Sequence, residues 1–301
     1  MATLGIDLGG TKIALGVLDG DRLVYSARAA TPQSGAEDVF KAMIALAREA
    51  LDRAGVPVRA VGVGTPGPID FATGTVRFAP NIPHFQDVPL GPRLEEALGL
   101  PVVLENDANA AALAEHHLGA ARGASSSLFV TVSTGIGGGL VVGGRIWRGA
   151  FGQAGELGHV TVLPGGPVCG CGNRGCLEAV ASGRALARDA SYAYAEAVTT
   201  PQLFERWRAR DPKALELVGG AAGYLGQALA DAQRLFDPEI IVLGGGVVHG
   251  GGEAFLAEVH RGFVAHARGW RTAPLRRAEL GEQAGVVGAA LAAQEAGERS
   301  S

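Results

Sequence analysis

Short apolar runs alternate with longer amphipathic stretches along the chain, and glycine-rich turns separate many of them. The first run, residues 4–8, is followed by Gly9-Gly10-Thr11-Lys12 and by a second run at residues 13–18. This pattern predicts a strand, a glycine turn and a second strand. It returns at residues 128–142, around the turn Thr134-Gly135-Ile136-Gly137-Gly138-Gly139. An offset this long predicts two related domains, since solenoid repeats are about 20 to 50 residues long.

The other periodic segments predict strands that alternate with helices. The predicted helices lie between Ser34 and Gly55 and at residues 178–197, 213–236 and 285–296. The predicted strands lie at residues 60–63, 101–104 and 239–243, and the loops that follow them are polar or glycine-rich. This alternation is typical of an α/β protein, in which ligands bind beyond the carboxyl ends of the strands.

The composition argues against several classes of partner. The net charge is −4, and no segment concentrates lysine and arginine as a nucleic-acid or anionic-membrane binder would. No apolar stretch approaches the roughly 18 residues of a membrane span, and the N-terminus lacks the pattern of a signal peptide. We therefore expect a cytoplasmic protein that binds small molecules and neither nucleic acid nor membrane.

Asp7 and the glycines after it have the features of a phosphate-binding turn. Glycines allow backbone N–H groups to approach a ligand closely. The turn is neither a P-loop nor a dinucleotide-binding loop, because the chain returns as a strand instead of opening a helix. One such turn could be an ordinary hairpin. The second turn, at residues 134–139, favours a polyphosphate bound from both domains.

Three cysteines, Cys169, Cys171 and Cys176, follow His159 closely in the sequence. One imidazole and three thiolates at such spacing are typical of structural zinc in a reducing compartment. The alternative is three free thiols in a glycine-rich loop. Since four protein ligands leave no open position, we expect a structural Zn²⁺ that fixes the His159 ring, not one that activates water.

Together these motifs resemble the sugar kinase, Hsp70 and actin superfamily and, within it, the ROK family, where they are most similar to bacterial glucokinases. The resemblance covers essentially the whole chain. It is carried by D-L-G-G-T-K, T-G-I-G-G-G, I-V-L-G-G-G, Gly155-Glu156-Leu157-Gly158-His159 and the run from Cys169 to Glu178. It implies two actin-like, ribonuclease H-like α/β domains with a cleft between them, at residues 1–110 and 111–286. The last helix, about residues 287–301, would pack back on the first domain.

The resemblance also implies ATP-dependent phosphorylation of the 6-hydroxyl of a hexose, with glucose favoured. Asp107, within Glu105-Asn106-Asp107-Ala108-Asn109, would be the general base. Phosphoryl transfer mainly requires an aligned acceptor, removal of its proton and neutralised phosphate charge. From the motif alone, an Asn or Asp helix cap explains these residues equally well.

The remaining site residues are carried over position by position from the family. The hexose would contact Gly67, Asn81, Asn106, Asp107, Glu156, His159 and Glu178. ATP would bind Gly9, Gly10, Thr11, Lys12, Thr134, Gly135, Gly137, Gly244, Gly245 and Gly246. Asp7 would help to hold Mg²⁺ or its waters. Phe85 stands where family members often have Trp, so the packing on that side of the sugar is expected to differ.

Two alternatives remain open at the level of the sequence. Kinases of N-acetylmannosamine, N-acetylglucosamine, fructose and allose share these motifs, so the sugar is not settled by them. A non-catalytic sugar sensor is the other alternative, although only three residues precede Leu4, where ROK repressors carry a helix-turn-helix domain. A sensor would also have no need of Asp107. The family resemblance further implies a homodimer or homotetramer.

Overall fold

The structure, a computed structural model, describes residues 2–79 and 81–299 and is built from strands and helices in alternation. The strands are β1 (Ala2–Leu8), β2 (Lys12–Asp19), β3 (Arg22–Ala30), β4 (Val58–Thr65), β5 (Ile69–Asp70), β6 (Thr75–Phe78), β7 (Gln86–Val88), β8 (Val102–Asn106), β9 (Ser126–Val132), β10 (Ile136–Val142), β11 (Arg145–Ile146), β12 (Ile240–Gly244) and β13 (Leu275–Arg277). The α-helices are α1 (Ala36–Arg53), α2 (Leu90–Leu98), α3 (Asp107–His117), α4 (Leu177–Ala181), α5 (Gly183–Tyr194), α6 (Thr200–Arg208), α7 (Pro212–Phe236), α8 (Gly246–Ala267) and α9 (Ala284–Arg299). Among the described residues, no helix is long and apolar enough to cross a membrane.

Two five-stranded sheets have the same topology. Their strand orders are β3-β2-β1-β4-β8 and β11-β10-β9-β12-β13. In the first sheet β1 pairs antiparallel with β2 and parallel with β4, and β4 pairs parallel with β8. In the second sheet β12 lies parallel to both β9 and β13. The repeated order confirms the α/β class and the duplication that the two glycine turns predict.

The chain divides into two compact units whose limits differ from the predicted boundary at residue 110. The first unit comprises residues 2–122, 139–154 and 282–299, and the second comprises residues 123–138 and 155–281. Residue 110 lies inside α3, and a continuous helix stays with the core on which it packs. The first unit therefore extends past α3, and the segment 139–154 also belongs to it.

Two predicted elements have different limits in the structure. Strand β10 begins at Ile136, so the predicted turn residue Gly137 and the two glycines after it lie in a strand. A Cβ on Gly138 would lie 2.6 Å from the Gly155 carbonyl oxygen, which shows that these glycines permit close packing. The helix predicted at residues 178–197 is divided at Ser182, whose Oγ accepts a hydrogen bond from the Ala185 amide and caps α5.

Helix α9 packs its backbone directly against the first sheet and against α3. A Cβ on Gly62 in β4 would lie 1.7 Å from the Ala289 carbonyl oxygen, and one on Gly288 would lie 1.6 Å from the Ala110 carbonyl oxygen. Thr3 Oγ1 donates a hydrogen bond of 2.9 Å to the Ala290 carbonyl. The C-terminal helix is thus part of the core of the first unit.

We expect Gly62→Ala to lower the free energy of unfolding by at least about 3 kcal/mol, since a methyl group there overlaps the backbone of α9. Gly220→Ala is the matched control, because Gly220 is exposed inside α7 and a Cβ there meets no atom within 4 Å. The control should gain up to about 1 kcal/mol from helix propensity. Urea unfolding measures both changes, and equal stabilities for the two variants would contradict the packing of α9.

Candidate functional site

The glycine turn of the first unit is fixed by two side chains from the segment that follows β3. Thr31 Oγ1 donates to the Gly9 carbonyl at 2.7 Å, and Gln33 Nε2 donates to the Gly10 carbonyl at 2.9 Å. Within the turn, the Gly9 amide donates to the Lys12 carbonyl at 2.9 Å. The turn is therefore preorganised before any ligand binds.

The carboxyl group of Asp7 lies near the end of β1. Burial raises its pKa above the ordinary value, and the positive charge of Lys12 only partly offsets that shift. Lys12 Nζ itself lies 3.2 Å from Glu282 Oε2. A Cβ on Gly285 would lie 2.6 Å from Asp7 Cγ, so the first turn of α9 crowds the carboxylate. A hard divalent cation such as Mg²⁺ would favour the ionised form of this group.

Two of the predicted sugar-binding residues lie on loops of the first unit. A Cβ on Gly10 would lie 2.6 Å from Asn81 Cβ, so the structure places Asn81 against the glycine turn. Gly67 follows β4 with a φ of 88°. A Cβ on Gly67 would lie 1.8 Å from the Phe78 carbonyl oxygen. Only glycine fits at this position.

Asn106 and Asp107 stand at the corner where β8 meets α3. The side chain of Asn106 is the N-cap of α3, and its Oδ1 accepts the amides of Ala108 at 2.9 Å and Asn109 at 3.2 Å. Asp107 is the first residue of the helix and is exposed. Its Oδ1 accepts the Ala108 amide at 2.8 Å. The capping interpretation of the motif is thus confirmed for Asn106, and Asp107 presents a carboxylate at the positive end of the helix.

In the second unit, Glu178 contacts the second glycine turn. Its Oε2 accepts the Ile136 amide at 2.9 Å, and its Oε1 lies 3.4 Å from Arg184 Nη2. A Cβ on Gly135 would lie 2.4 Å from Glu178 Oε2. The structure therefore places a predicted sugar-binding residue against Gly135, which is predicted to bind phosphate.

The three glycines at the end of β12 form a corner between a strand and a helix. Gly244 ends the strand, Gly245 is the N-cap of α8, and Gly246 is the first residue of that helix. Gly245 has a φ of 89°, and a Cβ there would lie 2.4 Å from the Val132 carbonyl oxygen. A close turn of this kind at a helix N-terminus can accept an anionic ligand.

Four potential metal ligands of the second unit converge on one point. The ligand atoms of His159, Cys169, Cys171 and Cys176 all lie within 4.8 Å of one another. His159 Nδ1 is 3.6 Å from Cys169 Sγ, and Cys171 Sγ is 3.7 Å from Cys176 Sγ. A tetrahedral zinc with bonds of about 2.0 Å to nitrogen and 2.3 Å to sulfur spaces its ligands by about 3.5 to 3.8 Å. The donor set therefore fits Zn²⁺, and a disulfide would need sulfurs about 2.05 Å apart.

The environment of the thiols and of the imidazole also fits a cation. Burial and the neighbouring thiols raise the pKa of Cys176 to about 12, so its thiolate needs a positive charge nearby. The second ring nitrogen of His159, Nε2, lies 3.9 Å from Glu156 Oε2. The edge of the ring that carries Nδ1 thus faces the cysteines, and the edge that carries Nε2 faces the carboxylate of Glu156, a predicted sugar-binding residue.

Glu105, at the corner between β8 and α3, is a residue for which the sequence predicted no role of its own. It is a fully buried carboxylate, and it directly precedes Asn106 and Asp107. It forms an ion pair with Arg148. A charged residue directly after the apolar run of β8 is the only signal in the sequence that points to it.

A family model described as the ROK family matches residues 3–296. The chain belongs to the ROK family. It is 38% identical over 316 residues to a glucokinase of Streptomyces coelicolor, and this match covers 97% of this chain and 98% of the relative. It is also 38% identical over 297 residues to an N-acetylmannosamine kinase of Citrobacter koseri, which covers 98% of this chain and 99% of the relative.

Solved ROK structures resemble this chain over nearly its full length. A ROK hexokinase from Thermus thermophilus is 55% identical to this chain, with a TM-score of 0.95. The match covers 99% of this chain and 100% of that chain. A ROK glucokinase from Streptomyces griseus, solved in complex with glucose and AMPPNP, is 40% identical with a TM-score of 0.83. The latter match covers 98% of this chain and 100% of that chain.

We expect Asp7→Asn to raise the midpoint of thermal unfolding at pH 7 in the absence of nucleotide and metal. The reason is that burial raises the pKa of Asp7, so the ionised carboxylate destabilises the folded state. The gain should shrink as the pH falls and should vanish below about pH 4, where the unfolded carboxyl is also protonated. Asp52→Asn, at an exposed position of α1, is the control, and a lower midpoint for Asp7→Asn than for this control would contradict the expectation.

Proposed function

We propose that this ROK protein is an ATP-dependent hexokinase that phosphorylates the 6-hydroxyl of a hexose, with glucose as the favoured substrate. The observation that carries the proposal is the exposed carboxylate of Asp107 at the start of α3, directly after Asn106. The glucokinase of Streptomyces coelicolor and the Streptomyces griseus glucokinase bound to glucose and AMPPNP support the choice of both substrates.

The reaction proposed for Asp107 is a proton transfer coupled to phosphoryl transfer. The oxygen of the sugar 6-hydroxyl forms a bond to the γ-phosphorus while the bond from that phosphorus to the bridging oxygen of ADP breaks. The hydroxyl proton moves to the carboxylate of Asp107. Because the transition state is loose, alignment of the acceptor and neutralisation of phosphate charge contribute most of the acceleration.

The other proposed site residues form two groups, one that binds the sugar and one that binds the nucleotide. For the sugar we propose Gly67, Asn81 and Asn106 from the first unit and Glu156, His159 and Glu178 from the second. A site that hydrogen-bonds each hydroxyl of a sugar discriminates strongly against analogues that lack one of them. For the phosphates we propose Gly9, Gly10, Thr11 and Lys12 together with Thr134, Gly135 and Gly137, and for the adenosine Gly244, Gly245 and Gly246. Asp7 would help to hold Mg²⁺, which neutralises phosphate charge when bound.

A second candidate substrate is N-acetylmannosamine. The N-acetylmannosamine kinase of Citrobacter koseri is as similar in identity, at 38%, as the Streptomyces coelicolor glucokinase. Both activities would use Asp107 in the same way. The two sugars differ at the second carbon, in both the substituent and its configuration.

Sugar-dependent release of ADP from Mg-ATP, over a panel of hexoses and N-acetylhexosamines, tests the proposal. We expect turnover with glucose, and Asp107→Asn should lower kcat by about 10²- to 10⁴-fold, the usual contribution of a general base. Asp52→Asn should leave kcat unchanged. A preference for N-acetylmannosamine would establish the second candidate. No turnover with any sugar, or full activity of Asp107→Asn, would contradict the proposed reaction.

We also propose that the Cys₃His cluster binds one structural Zn²⁺ through His159 Nδ1. The ion would hold the imidazole ring so that Nε2 can meet a sugar hydroxyl, as ordered metal-bound histidines do. The cluster spacing supports this role, because four protein ligands complete a tetrahedral site.

We expect the purified protein to contain one zinc per chain and Cys176→Ser to lose most of it. The variant should unfold at a lower temperature, and its KM for sugar should rise by about 10-fold because the His159 ring is no longer fixed. His260→Gln, at an exposed position of α8, is the control. Elemental analysis and thermal unfolding measure the effects. Metal content that is absent from the wild type, or unchanged in Cys176→Ser, would refute the zinc site.

From the family resemblance we also propose that the enzyme is cytoplasmic and forms a homodimer or homotetramer. The cytoplasm supplies ATP and keeps cysteine ligands reduced. Light scattering of the purified zinc-loaded protein would give the number of subunits.

A further inference from the structure

Glu105 is a buried charge whose two oxygens are fully occupied. Its Oε2 accepts a hydrogen bond from Arg148 Nε at 2.7 Å, and Arg148 Nη2 lies 2.5 Å from the same oxygen in an ion pair. Its Oε1 accepts Asn109 Nδ2 at 2.9 Å and the Asn106 amide at 3.0 Å. Burying a carboxylate is costly unless it is paired and hydrogen-bonded on all sides. The four donors meet that requirement.

These hydrogen bonds fix the backbone on both sides of Asp107. Glu105 holds the amide of Asn106 and the side chain of Asn109, while Asn106 Oδ1 holds the amides of Ala108 and Asn109. The residues before and after Asp107 are therefore both anchored. The direction in which the Asp107 carboxylate leaves the helix depends on this double anchor.

Arg148 connects this corner to a distant loop of the same unit. The Ala154 amide donates to the Arg148 carbonyl at 3.1 Å and closes the loop. The guanidinium carbon of Arg148 lies 5.3 Å from the centre of the Phe71 ring. A Cβ on Gly152 would lie 2.6 Å from the same ring. The Arg148 side chain is thus held by packing as well as by its ion pair.

We propose that Glu105 and Arg148 form a positioning pair that sets the orientation of Asn106 and Asp107 toward the hexose. The inference rests on the proposed hexokinase activity. Neither residue is assigned a contact with substrate, and Glu105 acts through the hydrogen bonds that it makes to Asn106 and Asn109. A misplacement of about 1 Å in a catalytic group can lower a rate by about 10²-fold.

The alternative is a pair that contributes only to stability, and a double-mutant cycle separates the two roles. Arg148→Met leaves a buried unpaired carboxylate, so we expect it to unfold at a clearly lower temperature. The double variant Glu105→Met with Arg148→Met removes both charges and also the oxygen that accepts the Asn106 and Asn109 hydrogen bonds, and it should recover part of that loss. Its kcat should nevertheless remain about 10²-fold below the wild type, with KM for Mg-ATP within about 2-fold.

Arg93 and Glu37 provide a matched control in the same unit. Arg93 Nη1 and Nη2 bind the two oxygens of Glu37 at 2.7 Å and 2.8 Å, and the guanidinium carbon lies 4.0 Å from the centre of the Phe40 ring. This pair has the same functional groups, although Glu37 is exposed, and it lies on α1 and α2. Glu37→Met with Arg93→Met should leave kcat unchanged.

Calorimetric titration with glucose in the absence of ATP gives a readout that does not require turnover. Since Asn106 is a proposed sugar ligand, the Glu105 and Arg148 double variant should bind glucose about 10-fold more weakly, and the control double variant should bind it as the wild type does. Wild-type kcat and wild-type sugar affinity in a stable Glu105 and Arg148 double variant would overturn the positioning role while the hexokinase proposal stands.

Failure of the hexokinase proposal has a different signature, because the wild type would then release no ADP with any sugar. If such a protein still binds glucose, the titration decides the positioning role: weaker binding in the Glu105 and Arg148 double variant supports it, and unchanged binding overturns it. A wild type that neither turns over nor binds any sugar would overturn both proposals.

Discussion

The structure depends on backbone segments that approach more closely than any side chain would allow. Helix α9 meets β4 where Gly62 faces the Ala289 carbonyl, and a Cβ there would lie 1.7 Å from that oxygen. The same constraint applies on the loop at Gly67 and at the corner formed by Gly245. These contacts fix where the strand ends and helix starts lie, and the proposed ligand-binding groups occupy those positions. The abundance of glycine is therefore a packing requirement as well as a property of turns.

A structural role and a proposed chemical role coincide at the corner between β8 and α3. The amide oxygen of Asn106 satisfies two orphan N–H groups at the start of the helix, as an N-cap does. The adjacent Asp107 presents a carboxylate where the helix dipole favours negative charge. The buried carboxylate of Glu105 anchors the same corner from inside. A helix start that is held this firmly can orient a base without the cost of ordering it during the reaction.

In the second unit, two side chains connect the residues that are proposed to bind sugar with other proposed sites. They are the carboxylate of Glu178 and the imidazole of His159. Glu178 accepts the Ile136 amide next to the second glycine turn, so its position and that of the turn depend on each other. His159 directs Nδ1 toward the thiols and Nε2 toward Glu156. The proposed metal ligands and the proposed sugar ligands are therefore parts of one local arrangement, and the imidazole ring of His159 connects them.

The sequence by itself determined the α/β class, the duplicated strands and turns, and the grouping of His159 with the cysteines, because each depends on residues that are near one another in the chain. It also indicated that Asp107 follows a strand end. It misjudged Gly137, since the same residue type that permits a turn also permits close packing inside a strand. The family resemblance implied that the last helix packs back on the first domain, whereas only the tertiary structure decided that Arg148 pairs with Glu105 and that Gly62 of β4 meets Ala289 of α9. Those contacts join residues far apart in the sequence, and local spacing contains no information about which distant groups will meet.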